Sequence, residues 1–174
     1  SLKTTYKKIG DHKFFITLQT HKYTSYISCV LKKDSRSREE EEELITSYVI
    51  FLLSKACGLE YKLPKHKEKI EYKTTNADKS WKRVFDGTVD FISSSNSKPE
   101  LIFPGSFNPL HKGHISMRDL AEKKTGMQAH FEICISNADK PPLTFYEIDR
   151  SIKQFKKNDS WVITRSGRFS EKAI

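Results

Sequence analysis

The residues most capable of chemistry in this chain lie close together in residues 101–114, which read LIFPGSFNPLHKGH. This stretch contains two histidines, His111 and His114, and the hydroxyl group of Ser106 a few positions earlier. Imidazole rings, hydroxyl groups and exposed main-chain N–H groups can hold phosphate groups and stabilise the charge that develops when such groups are transferred. The sequence therefore predicts that a phosphate-bearing ligand binds here.

A strand, a loop and a helix are predicted to position these residues. Residues 101–103 form a short apolar run typical of a buried strand, and the Pro-Gly and Asn-Pro pairs in residues 104–109 predict an irregular loop. Residues 115–124 are predicted to be helical, with Met117 and Leu120 at helical spacing. Because the N–H groups at a helix start lack partners and the helix dipole is positive there, an anion is favoured at this N-terminus.

The sequence after this helix continues the alternation of strands and helices. Residues 130–136 and 160–164 predict strands, and Thr144 with Glu147 predicts the capped start of a helix between them. Residues 169–174 predict the beginning of a further helix. Since strands joined by a helix pair in parallel through a right-handed crossover, we expect the α/β class with a Rossmann-like parallel sheet for this part of the chain.

The histidine-containing stretch resembles the signature of the nucleotidylyltransferase superfamily, which includes cytidylyltransferase-like and nicotinamide-nucleotide adenylyltransferase-like proteins. That signature is a Gly-(Ser/Thr)-Phe-(Asn/Asp)-Pro loop closed by (His/Thr)-x-Gly-His, and it corresponds here to residues 105–109 and 111–114. The resemblance extends over residues 100–174, including the segment 137–143. It implies the N-terminal part of a nucleotidylyltransferase domain.

The resemblance also implies roles for individual residues. The residues expected to be catalytic are His111, His114 and Lys140. The residues expected to bind the nucleotide are Gly105, Ser106, Phe107, Asn108, His111, Gly113, His114 and Arg150. No residue is expected to bind a metal by itself, and Mg²⁺ is the expected cofactor, accompanying the nucleoside triphosphate.

Three of these residues have a structural interpretation as well. Lys140 is also consistent with a surface lysine beside two prolines. Arg150 is also consistent with an ion pair to Glu147 or Asp149 on a predicted helix. Asn108 is typical of loop positions at which the side chain hydrogen-bonds its own backbone.

Residues 1–58 predict a small α+β block, a β-hairpin followed by a helix. Residues 13–19 and 22–31 are rich in β-branched and aromatic types. Ser37 and Glu40 then form a capping-box pattern at the start of an acidic run that suits a helix N-terminus.

This block resembles the closing part of the competence-damage-inducible domain, which has the nicotinamide-nucleotide amidase fold. The matching residues are 10–14, 18–20 and 35–41. In that family the catalytic Ser, Tyr and Lys lie in an upstream portion, and Ser1 and Leu2 correspond to the very end of that portion. The resemblance therefore implies a block that packs or mediates assembly, and amidase activity is not expected.

Residues 59–99 are interpreted as a connector with a short ordered segment. The segment is rich in lysine, and apolar residues near Trp81 and Phe91 predict a short strand or docking element. Residues 92–95 (Ile-Ser-Ser-Ser) resemble a second superfamily signature, Ile-Ser-(Ser/Thr)-Thr-x-x-Arg. They precede residues 105–114, called the histidine loop below, and lack the arginine, so we do not assign them to the site.

The formal net charge of +9 raises the question of nucleic-acid binding. The charge is spread along the chain, with +5 in residues 1–34 and +4 in residues 101–174. Because no single basic stripe with interleaved aromatics is present, nucleic acid is not expected as a partner. The sequence shows neither a signal peptide nor a membrane-spanning run, so we expect a cytoplasmic protein without a membrane partner.

Two functional hypotheses follow from these patterns. The first is an enzyme that transfers a nucleoside monophosphate from a nucleoside triphosphate, with ATP favoured and CTP left open, to a small phosphate-bearing acceptor. Nicotinamide or nicotinate mononucleotide is the favoured acceptor, and pantetheine phosphate or a cytidylyl acceptor remains open. The second is a non-catalytic nucleotide-binding or assembly module, because a second phosphate motif does not follow residue 114. A homo-oligomer formed through residues 1–58 is compatible with both.

Overall fold

The computed structural model describes residues 10–95, 98–136 and 141–166. The chain divides into two compact units, one ending at Asn76 and the other beginning at Ala77. Lys140 and the helix predicted at residues 169–174 lie outside the described residues.

In the part of the first unit that the structure describes, a three-stranded antiparallel sheet packs with one helix. Its strands are β1 (His12–Gln19), β2 (Tyr23–Leu31) and β3 (Ile70–Asn76), in the order β1-β2-β3. The pairing of His12 with Leu31 and of Gln19 with Thr24 confirms the predicted hairpin. The helix α1 spans Arg38–Ala56.

Local sequence explains where α1 begins and ends. The Ser37 side chain accepts a hydrogen bond from the Glu40 N–H, and the Glu40 carboxylate accepts one from the Ser37 N–H, which confirms the capping box. Gly58 follows the helix with φ of 72°, a left-handed conformation that glycine adopts without strain. One face of α1 then packs on the inner face of the sheet, where the buried cluster consists of Phe14, Ile27, Cys29, Leu31, Leu44, Tyr48 and Leu52.

The described residues of the second unit form a four-stranded sheet with three helices. Its strands are β4 (Phe91–Ser93), β5 (Leu101–Pro104), β6 (Ala129–Cys134) and β7 (Ser160–Thr164), in the order β4-β7-β6-β5. Strands β5, β6 and β7 are parallel, and β4 joins the edge antiparallel to β7. The unit is thus an α/β fold with the Rossmann-like parallel sheet that the sequence predicts.

Three helices accompany this sheet: α2 (Lys79–Phe85), α3 (Lys112–Thr125) and α4 (Phe145–Ile152). The predicted capping box of α4 is present between Thr144 and Glu147. Helix α3 is present as predicted, although Met117 and Leu120 are 60% and 54% exposed and do not contribute to the core.

The segment interpreted as a connector, residues 59–99, is divided between the two units. Strand β3 pairs with β2 in the first unit, whereas α2 and β4 belong to the second. Most side chains of β3 are exposed and polar, as expected for an edge strand. Among the helices of the described residues, none is long and apolar enough to cross a membrane.

Candidate active site

The loop between β5 and α3 is anchored by the side chain of Phe107. This residue is 1% exposed, and its ring contacts those of Phe131 and Phe155 with centroids 5.1 Å and 5.9 Å away. Its φ of 44° lies in the left-handed region, which residues other than glycine rarely adopt. Phe107 was predicted to bind nucleotide. Because its ring is part of the core, any such contact would come from its main chain.

Two glycines make room for aromatic rings. A Cβ atom on Gly105 would lie 2.6 Å from the Phe107 ring, and one on Gly113 would lie 3.1 Å from the His111 ring. The resemblance described above implies that both glycines bind the nucleotide. The structure adds a more immediate reason for each, since the glycine lets a ring of the same loop pack against the backbone.

The two imidazoles of the predicted site lie face to face at the N-terminus of α3. His111 is the N-cap residue and His114 lies in the first turn. Their ring centroids are 3.7 Å apart and their planes are inclined by 21°. The arrangement brings both predicted residues to the helix end where an anion is favoured.

A hydrogen bond orients the His114 ring. The main-chain N–H of His111 donates to Nδ1 of His114 across 3.3 Å. When this ring is neutral, its proton must therefore be on Nε2, because Nδ1 acts as the acceptor. His114 can then donate from Nε2 to a ligand oxygen.

The environment of His114 favours that neutral form. The ring also touches Phe103 and Phe107, with centroids 6.4 Å and 5.2 Å away. Partial burial first, and then the nearby imidazole of His111, lower the pKa of His114 from its ordinary value. At neutral pH the pair therefore offers N–H donors without the cost of placing two positive charges side by side.

The side chain of Gln154 holds the other end of the loop and was not identified from the sequence. Its Oε1 accepts from the Leu110 N–H at 2.7 Å, and its Nε2 donates to the Phe107 carbonyl at 2.9 Å. Gln154 lies just after α4. A single polar residue after a helix has no pattern that would reveal a contact more than 40 positions away.

The other predicted site residues that the structure describes lie on the loop or on α4. Ser106 and Asn108 are exposed on the loop. Arg150 is exposed on α4, and the described residues provide no ion pair for its guanidinium, since Glu147 caps the helix and Asp149 pairs with Lys153. Arg150 precedes Gln154 by about one turn, which keeps it near the loop.

A separate open cleft of about 500 Å³ is lined by Arg118, the one cationic side chain that the described residues place there. Its guanidinium contacts Asp159 and Asp119 at 2.7 Å and 2.8 Å. Because both carboxylates already neutralise it, this cleft is less suited to a phosphate than the histidine loop is.

No cluster of three or more His, Cys, Asp or Glu side chains in the described part of the chain could hold a metal ion. Mg²⁺ can nevertheless be bound mainly by substrate phosphates and water. The described residues are thus compatible with a metal ion that arrives with a triphosphate.

Residues 102–168 match the family model for cytidylyltransferase-like proteins. The matched segment includes most of β5, the histidine loop, α3 and the described elements up to β7. The match supports the resemblance of this segment to the nucleotidylyltransferase superfamily and suggests nucleotidyl transfer in general. No curated protein and no solved structure matches the chain.

Proposed function

We propose that the second unit transfers a nucleoside monophosphate from a nucleoside triphosphate to a small phosphate-bearing acceptor, with release of pyrophosphate. The observation that carries the proposal is the pair of facing imidazoles, His111 and His114, at the N-terminus of α3. ATP is the triphosphate we favour. Nicotinamide or nicotinate mononucleotide is the acceptor we favour, because of the amidase-like resemblance of the first unit.

In this reaction an acceptor phosphate oxygen attacks the α-phosphorus in line, and the bond from that phosphorus to the pyrophosphate oxygen breaks. No protein side chain needs to form a covalent bond, so catalysis consists of positioning and charge stabilisation. His114 would donate from Nε2 to the phosphate that gains charge. The His111 ring and the N–H groups of the loop around Gly105 and Ser106 would hold the other phosphate oxygens.

Three further residues are assigned to the nucleotide in this proposal. Lys140 and Arg150 would supply positive charge, and Asn108 would support the loop that contacts the phosphates. Mg²⁺ would arrive with the triphosphate and neutralise part of its charge. The protein's task is then to orient the complex so that the attacking and leaving oxygens lie in line.

The experiment that tests the proposal follows pyrophosphate release. The protein is incubated with ATP or CTP, Mg²⁺ and a panel of phosphate monoesters that includes both mononucleotides. Release that depends on an acceptor supports the proposal. Thermal stabilisation by a triphosphate without release from any acceptor would instead favour a non-catalytic nucleotide-binding module.

We also propose that the first unit mediates assembly with a second copy of the chain. Helix α1 has exposed apolar residues opposite its buried face, of which Leu53 is 50% exposed and Ile50 is 39% exposed. A helix that is apolar on both sides is typically covered on both. Sedimentation of the parent and of Leu53→Glu tests this, since the variant should shift the population toward monomer.

A further inference from the structure

The side chain amide of Gln154 spans the centre of the histidine loop. It accepts from the Leu110 N–H and donates to the Phe107 carbonyl, so one side chain is bonded to both sides of the Asn108-Pro109 pair. A third, longer contact of 3.4 Å joins the same Nε2 to the Arg150 carbonyl. Both ends of the amide are therefore engaged.

These contacts connect the two halves of the proposed phosphate site. Gly105 and Ser106 precede Phe107, whereas Leu110 directly precedes His111. The position of the loop amides relative to the two imidazoles thus depends on the distance between the Phe107 carbonyl and the Leu110 N–H. Gln154 sets that distance from outside the loop.

The backbone conformation of Phe107 requires restraints from the residues around it. Phe107 has φ of 44°, and a residue in this region keeps its conformation only when its surroundings determine it strongly. The buried ring provides one such restraint, through packing against Phe131 and Phe155. Gln154 provides a separate one on the carbonyl of the same residue.

We propose that Gln154 is a positioning residue for nucleotidyl transfer, a role that rests on the proposed function. It acts through the loop, by keeping the Phe107–Leu110 span in the geometry that aligns His111 and His114 with the loop amides. Misplacement of catalytic groups by about 1 Å can lower a rate about a hundredfold. The loss of this side chain should therefore affect turnover more than affinity for the triphosphate.

The experiment compares Gln154→Met, which keeps the length of the side chain without its hydrogen bonds, with Gln154→Glu. The matched control is Lys157→Met, which removes an exposed side chain three positions away. For each protein, kcat and the KM for the triphosphate are measured with the acceptor that the parent uses. NMR of ring nitrogens in histidine-labelled protein reports on the His114 Nδ1 hydrogen bond independently of activity.

We expect Gln154→Met to lower kcat by about 10- to 100-fold, to change the KM for the triphosphate less than about threefold, and to weaken the His111 N–H to His114 Nδ1 bond. Gln154→Glu keeps the acceptor for Leu110 but loses the donor to Phe107. Its kcat relative to the parent at the same pH should recover as the pH is lowered, because a protonated carboxyl can donate to that carbonyl. Lys157→Met should behave as the parent.

Two results would overturn the proposal. One is a Gln154→Met protein that is less stable but keeps the parent's kcat and the His114 nitrogen signals, since that would make Gln154 a purely structural residue. The other is a kcat of Gln154→Glu that does not change with pH relative to the parent. If the parent releases no pyrophosphate, the proposed function fails, and unchanged His114 signals in Gln154→Met then exclude the positioning role as well.

Discussion

The histidine pair of the second unit differs from two buried or partly buried histidines of the first unit, His12 and His66, in what the rings face. In the first unit, Nδ1 of His12 lies 2.9 Å from the carboxylate of Glu41, and both side chains are buried. In the second unit, His111 and His114 face each other, and the described residues place no carboxylate within ion-pair distance of either ring. A histidine whose partner is an internal carboxylate stabilises the fold. A histidine pair without one is available to an anion from outside.

His66 extends the comparison within the first unit. Its Nε2 is hydrogen-bonded to the hydroxyl of Tyr48, and its Nδ1 lies 3.5 Å from the carboxylate of Glu68. Glu68 is in turn bound by the Arg36 guanidinium, with a second contact of 2.9 Å. These polar groups contact one another inside the fold, although Nδ1 of His66 has no hydrogen-bond partner among the described residues. Substitutions in this chain of contacts should therefore change stability and leave turnover unaffected.

The largest effect should come from removing the second imidazole of the site. We expect His114→Ala to lower turnover about a hundredfold or more, as found when one donor to a transition state is lost. The ring also accepts the His111 N–H at the start of α3, so the free energy of unfolding should fall by about 1 kcal/mol, as for a lost helix cap. Steady-state rates and urea denaturation measure the two quantities.

The matched control is His21→Ala, which removes an exposed histidine in the hairpin turn of the first unit. It should leave both quantities unchanged. An effect of His114→Ala below threefold in turnover would remove this residue from the catalytic role and weaken the contrast between the units.

The next effect should be on stability. We expect Glu41→Ala to lower the free energy of unfolding by about 2 kcal/mol or more, because it leaves the buried His12 Nδ1 without its partner. Glu42→Ala is the control, since Glu42 pairs with Arg38 on the exposed side of α1 and surface pairs contribute about 0.5 kcal/mol or less. Equal losses in the two variants, measured by urea denaturation, would contradict this account of His12.

Lowering the pH should reveal how much the Glu68 carboxylate contributes to the free energy of unfolding. The Arg36 hydrogen bond, opposed by partial burial, lowers the pKa of Glu68 from 4.5 to about 2. The unfolded chain therefore takes up the proton first, and the stability that this carboxylate contributes is lost as the pH falls from about 4.5 toward 2. In Glu68→Gln that part of the pH dependence should be absent, and the unfolding free energy at neutral pH should be about 2 kcal/mol lower.

Glu71→Gln is the control for this prediction, because Glu71 pairs with Lys73 on the exposed side of β3. Its unfolding curve at neutral pH should resemble that of the parent. If Glu68→Gln retains the parent's loss of stability between pH 4.5 and 2, another group must be responsible.

Elements with strong local signals were predictable from the sequence. The capping boxes at Ser37 and Thr144 mark helix starts without reference to the rest of the chain, and β7 has the bounds predicted for it. The face-to-face histidines follow from their position around a helix start. Strand β3 was not recognised, because its exposed polar residues lack the apolar alternation of a half-buried strand.

Contacts between distant residues were not predictable. The bonds of Gln154 to the histidine loop and the pairing of Arg36 with Glu68 join residues more than 30 positions apart. Phe107 shows a second difficulty. A motif identifies a residue, but it does not tell whether the side-chain ring or the main chain of that residue would contact a ligand. Only packing decides that this ring lies in the core.

The smallest effect should be on the pKa of His114, and it tests the contact between the two rings directly. Burial is the larger cause that lowers this pKa and the His111 imidazole is the second. We therefore expect His111→Gln to raise the pKa of His114 only part of the way to 6.5, as followed by NMR titration. Because the folded state favours the neutral ring, the contribution of His114 to stability is lost as the pH falls below about 6.5, and this loss should be smaller in His111→Gln.

Lys124→Gln is the control, because it removes a charge at the far end of α3. Salt screens the interaction between exposed charges at such a separation, so this variant should leave the pKa of His114 unchanged. A pKa that does not move in His111→Gln would show that the rings do not sense each other, whereas an upward shift on adding a triphosphate would indicate that the anion lies beside them.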